Sequence, residues 1–156
     1  MATLLSIGSD AKTKKGEKLK VSTAIQYLAP STEAGVGNLC PYASEGCITA
    51  CLFTAGMGIF ANVRQPRIDR TILFMKDRKT YTTKLVFETA KHQRKSVNLG
   101  MIPAERLNGT SDVKWESIPI YDPVGNKIAN NIMELFPDVR FYDYTKFPYA
   151  KRPKES

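Results

Sequence analysis

"LKVSTAIQYLAP", residues 19–30, decides the fold. From Val21 to Leu28 it carries β-branched and aromatic residues, the composition of a strand, and Pro30 stops it. Residues 31–38, "STEAGVGN", read as a loop. Further on, residues 62–96, "NVRQPRIDRTILFMKDRKTYTTKLVFETAKHQRKS", place Ile68, Ile72 and Met75, then more loosely Leu85, Phe87 and Ala90, at helical spacing. They predict two helices, with Gly100 as the stop. "MIPAERLNG", residues 101–109, is a second short strand. "SDVKWES" starts a helix capped by Ser111 or Asp112. "NKIANNIMELFPD" is an amphipathic helix with Ile128, Ile132, Leu135 and Phe136 on one face, ended by Pro137. "VRFYDYTK", residues 139–146, is a third strand. Strand, helices, strand, helix, strand is an α/β order. It implies a small parallel sheet with crossover helices, or part of a (β/α) barrel.

Such sheets build their sites at the carboxyl ends of the strands. Three polar segments fall there. The cysteine-bearing residues 38–58 follow the first strand, "RLNGTSD" follows the second, and "YDYTK" ends the third. Their convergence on one face is the expectation for the functional site.

The chain has 156 residues and reads as a single α/β domain with a real core. Its formal charge is +8. Much of the excess lies in residues 11–20 and 147–156, two basic segments expected to be mobile. A basic surface suits nucleic acid or anionic ligands, though no nucleic-acid motif of defined spacing is present. No apolar run reaches membrane-span length, and the start is not a secretory signal, because its apolar piece is short and its lysines follow it. The expected location is cytoplasmic. Thiols stay reduced there, so clustered cysteines point to metal binding or catalysis.

The three cysteines of the chain, Cys40, Cys47 and Cys51, stand in "NLCPYASEGCITACLFTAGMG", residues 38–58. Cys47 and Cys51 are four apart and share a face if the segment is helical, with Ser44 as its cap and Cys40 in the preceding loop. A helix N-terminus favours thiolates. Structural zinc takes four ligands, for which the lone His92 is the remaining candidate, although it sits among positive charges on what reads as an exposed helix. A 4Fe–4S cluster held by three thiolates leaves one iron open to a cofactor or substrate, as in S-adenosylmethionine radical chemistry. The plain alternative is three small buried cysteines on an apolar helix face, or reactive thiols.

Four blocks in order, residues 38–58, "RQPRIDRTILFMKDR", "RLNGTSDVKWES" and "YDYTK", resemble the gene product 88 family of bacteriophages and related mobile elements. The resemblance spans most of the chain and implies a protein of a bacterial host's cytoplasm. It also raises the prospect that this chain is a shortened form of a longer family domain. A looser resemblance is to radical S-adenosylmethionine enzymes, which place three cysteines in the loop after the first barrel strand. Here the spacing is C-x6-C-x3-C rather than C-x3-C-x2-C, and "LNGTSD" stands near where those enzymes carry Gly-Gly-Glu.

Other residues complete the expected site. Arg106, Asn108, Ser111, Asp112 and Tyr144 are candidates for binding a cofactor, Arg106 as a guanidinium for a carboxylate or phosphate. Asp143 and Lys146 are candidate catalytic groups, for acid/base work and an anion contact. Arg64, Arg67 and Arg70 make either a solvated helix face or an anion-facing strip. The leading expectation is an iron–sulfur protein with radical-type chemistry on an unknown small-molecule or macromolecular substrate. The other is a non-enzymatic zinc-binding or metal-free basic protein that binds nucleic acid or a host protein.

Overall fold

The computed structural model describes residues 3–8, 19–51, 53–54 and 56–151. Strand β1 is Leu5–Ile7, β2 is Val21–Gln26, β3 is Ile102–Arg106 and β6 is Arg140–Phe141. They form one sheet in the order β1-β2-β3-β6. β2 and β3 run parallel with Val21 opposite Ile102 and Ile25 opposite Arg106. β3 and β6 are also parallel, with Glu105 opposite Phe141. β1 departs from expectation. It lies antiparallel on β2, with Leu5 opposite Gln26, so the sheet is mixed and open, neither all-parallel nor part of a barrel. The reason is non-local. Glu88, more than eighty residues away, accepts the backbone N–H groups of Leu4 and Leu5 at 2.8–3.0 Å.

The two long helices that the sequence predicts lie between β2 and β3: α2, Ala61–Lys76, and α3, Arg78–Asn98. Asp77 separates them, its carboxylate accepting the Thr80 N–H at 3.0 Å as the cap of α3. Hydrogen bonding from Thr80, first by its side chain and then by its N–H, holds the Asp77 carboxyl below its usual range. Gly100 follows α3 with φ +65°, a left-handed stop that an L side chain resists. α2 buries Thr71 and Phe74 rather than Ile68, Ile72 and Met75. α3 buries Tyr81, Leu85, Thr89, His92 and Ser96, while Phe87 is exposed. Phe74, Tyr81 and Trp115 then form an aromatic cluster, with ring centroids 5.2–6.3 Å apart, within one core shared with Leu4, Leu28, Leu107 and Ile132.

The link from β3 to β6 differs from expectation. Residues 126–138 are not one helix. Lys127–Ala129 is a strand, β5, paired with β4, Ile120–Tyr121, and Ile128 is exposed. Only Ile132–Leu135 is helical, α4. Two polar side chains impose this. Asp122 accepts the N–H groups of Gly125 and Asn126 at 2.7 and 2.8 Å and closes a hairpin turn. Asn131 caps α4 by accepting Glu134 N–H at 2.8 Å, and Glu134 reaches back to Asn130 N–H at 2.7 Å. "SDVKWES" likewise yields a single 3-10 turn, Trp115–Ser117, with neither Ser111 nor Asp112 as its cap.

Most of the first basic segment, and residues 152–156 of the second, lie outside the described residues. The described part of the second, 147–151, is docked. Phe147 packs on Tyr42 at 4.6 Å, and Lys151 Nζ donates to the Tyr42 hydroxyl at 3.1 Å.

His92 is not on an exposed face. It is 1% exposed, with Nδ1 3.0 Å from Glu105 Oε1 and Nε2 3.1 Å from Ser22 Oγ. Thr89 donates to the other Glu105 oxygen at 2.9 Å. Removing one member of a buried, bonded ionisable pair strands its partner. Glu105→Ala is expected to lower unfolding stability by about 3 kcal/mol. Urea titration checks this, with Glu105→Gln, which keeps an acceptor, losing less. A Glu105→Ala midpoint equal to wild type refutes the role given to the pair.

Candidate functional site

The three polar segments meet. A pocket of about 270 Å³ is lined by Cys40, Cys47 and Cys51, by Arg106, Asn108, Ser111 and Asp112 from the end of β3, and by Tyr144 and Lys146 from beyond β6. Asp143 stands apart from the others. It lines a second cavity of about 230 Å³ with Glu105, Leu107 and Trp115.

Asn108 organises the first pocket. Its Oδ1 accepts from Ser111 Oγ and Val113 N–H at 2.9 Å and from Trp115 Nε1 at 3.2 Å. Its Nδ2 donates to the Val113 carbonyl at 2.9 Å and to Asp143 Oδ2. The carboxamide is thus fully engaged and folds residues 108–113 into a turn. Asp112, 6% exposed, accepts the Thr145 hydroxyl at 2.7 Å and the Lys146 N–H at 2.8 Å, which ties the segment after β6 to that turn. Arg106 donates through Nε to the Asn108 carbonyl at 3.1 Å, and its guanidinium lies 4.8 Å from the Tyr144 ring centroid.

The cysteines enter from the other wall. Ser44 caps the short helix α1, Glu45–Thr49, by accepting Cys47 N–H at 3.2 Å. The helix ends before Cys51, so Cys47 and Cys51 do not share a helix face. Five residues also give little macrodipole to favour thiolates. All three cysteines are half-buried free thiols. Burial, chiefly, pushes the Cys40 thiol up, a backbone hydrogen bond from Ser31 opposes it, and Asp112, Cys51 and Cys47 add repulsion. A single metal ion draws thiolates to within about 2.3 Å of one point, and among the described residues no three His, Cys, Asp or Glu side chains form such a set.

The arginine strip is engaged within the protein, with Arg64 partly open to solvent. Arg64 pairs with Glu33 at 3.3 Å. Arg67 lies 4.8 Å from the Tyr27 ring centroid and 5.9 Å from that of Phe53. Arg70 donates to the carbonyls of Thr3 and Tyr27. The strip fastens α2 to β2 and to the cysteine segment.

The gene product 88 profile matches residues 3–156. The chain belongs to the gene product 88 family. No curated protein and no solved structure matches it. The family assignment rests on nearly the whole chain, whereas the radical S-adenosylmethionine resemblance gains nothing from these comparisons.

In this gene product 88 protein both His92 ring nitrogens are engaged, and His92 does not line the thiol pocket. It therefore does not serve as a fourth ligand there. The sequence gives no sign that Ser31 and Glu33 line the pocket. Ser31 adopts φ +47°, a conformation unusual for serine, and its neighbour Pro30 is the only local signal of a bend. Gly109 also lines the pocket, and a Cβ there falls 2.5 Å from the Gln26 carbonyl and 2.6 Å from the Tyr27 ring. Gly109→Ala is therefore expected to cost about 1–3 kcal/mol by overpacking. Thermal unfolding checks it, and a melting temperature equal to wild type refutes the close approach.

Proposed function

We propose that the protein holds a 4Fe–4S cluster in the thiol pocket through Cys40, Cys47 and Cys51, with one iron open towards Arg106 and Lys146. One observation carries the reading. All the thiols of the chain, from a loop and from either side of the end of a short helix, line a single concavity at the carboxyl ends of parallel strands. A reactive-thiol reading does not suit Cys40, because a nucleophilic cysteine needs a lowered pKa and burial raises that of Cys40. When bound, such a cluster supplies one-electron chemistry and an open coordination position, for which S-adenosylmethionine is a candidate ligand.

The chain's own residues have narrower tasks. Arg106, fixed by the Asn108 carbonyl and the Tyr144 ring, orients a ligand. Asn108, Ser111 and Asp112 shape the wall through bonds made within the protein. Lys146 faces the ligand as a cation or proton donor. Asp143, 4.0 Å from Arg106, acts on the site by holding that side chain.

Anaerobic reconstitution with iron and sulfide tests this. The expected product is brown and carries about four irons per chain. Alanine at Cys40, Cys47 or Cys51 is expected to remove most of that iron. A colourless protein, or Cys51→Ala with its full iron content, refutes the assignment. Zinc in place of iron, or metal-free protein with salt-sensitive nucleic-acid binding, supports the non-enzymatic alternative.

A further inference from the structure

The charges of the thiol pocket are unevenly engaged. Its two acids are occupied within the protein. Asp112 is buried with one oxygen on the Thr145 hydroxyl and the other on the Lys146 N–H. Glu33 pairs with Arg64. Among the described residues its two cations keep donors to spare. Arg106 bonds through Nε alone, and Asp143 lies 4.0 Å from that same nitrogen. Among the described residues no acceptor takes a hydrogen bond from its two terminal amino groups. Lys146 is anchored by its backbone and adds a second positive side chain to the lining. The guanidinium of Arg106, with its Nε side fixed, presents the planar fork that binds carboxylate or phosphate through two parallel bonds. Ala43, Ile48 and Ala50 give the pocket an apolar wall. Its volume of about 270 Å³ suits a small organic molecule.

From this we infer that the pocket takes a small organic anion, its carboxylate or phosphate head on the Arg106 fork with Lys146 beside it, and its apolar or aromatic body along Ala43, Ile48 and Ala50. The inference rests on reading this pocket as the functional site, and it holds whichever group the cysteines carry.

The test uses the metal-free protein and four probes: phenylacetate, phenyl phosphate, inorganic phosphate and benzyl alcohol. Calorimetric titration is expected to show binding of phenylacetate, phenyl phosphate or both, with inorganic phosphate weaker and benzyl alcohol weakest. Binding of only one aromatic acid supports the inference and fixes the head group. Arg106→Met is expected to weaken binding at least about tenfold, with Arg106→Lys in between. Lys146→Met, on an exposed side chain, is expected to weaken it about threefold and to reduce its salt dependence. Circular dichroism checks that each variant is folded, and if Arg106→Met is not, the Lys146→Met result decides. The inference is overturned if neither aromatic acid binds wild type, if inorganic phosphate binds as tightly as phenyl phosphate, or if the folded variants bind like wild type. Because no metal is present, a failed iron reconstitution leaves this result standing, and a failed titration leaves the cluster reading standing.

Discussion

The buried contact of Glu105 with His92 sets the register on which everything else depends. In a strand, successive side chains face opposite ways, so a slip of one residue exchanges the two faces. On β3 and its extension, Glu105 and Leu107 line one cavity while Arg106 and Asn108 line the other. A one-residue slip turns Arg106 into the core and Glu105 towards the thiols. Five residues of parallel pairing specify register weakly on their own. The Glu105 carboxylate fixes it, because His92 and Thr89 of α3 offer it partners in one position only. An ionisable pair in a core is poor evidence of stability, but a good device for choosing one arrangement over its near neighbours.

From that register the site is assembled by Asn108. A carboxamide both donates and accepts, and this one does both towards a backbone and two other segments. Its bonds to Val113 close the turn, its bond to Trp115 ties the turn to the aromatic core, and its bond to Asp143 brings in the exit from β6. Aspartate lacks the donors and leucine lacks both functions, so neither reproduces the arrangement. Asp112 repeats the device one step outward, on Thr145 and Lys146. The thiol wall joins the same turn through the Asp112 N–H, which donates to the Leu39 carbonyl at 2.8 Å, and joins α2 through Phe53 and its arginines.

What the sequence reveals and hides follows from the range of the interactions. β2, β3 and the break between the two long helices are legible because their causes are local: β-branched residues before Pro30, and the Asp77 cap. β1 is hidden because its partner is Glu88. The single long helix expected over residues 126–138 fails because periodicity sees Ile128, Ile132 and Phe136, whereas Asp122 and Asn131 dictate the backbone through side-chain bonds. His92 reads as a surface residue by its charged neighbours. The stripe Leu85, Thr89, His92, Ser96 at spacings of three and four was the available sign that this face is buried. The meeting of three strand-end segments was legible, since it needs only the parallel order. Which of their residues face the pocket was not, because that depends on register.

The uneven engagement of charge connects the two readings of the pocket. The two acids of the lining, Glu33 and Asp112, spend their hydrogen bonds within the protein, whereas among the described residues the terminal amino groups of Arg106 and the Lys146 ammonium keep donors to spare. Under the proposed readings, thiols ionised by metal binding would place negative charge on one wall, and an organic anion would place it on the other. The cations stand on the β3 and β6 wall and the thiols on the α1 wall, so the two negative groups need not compete for the same position. On the two proposals together, Arg106 and Lys146 would stand between a thiolate-held group and an organic anion, so that the same donors would serve both.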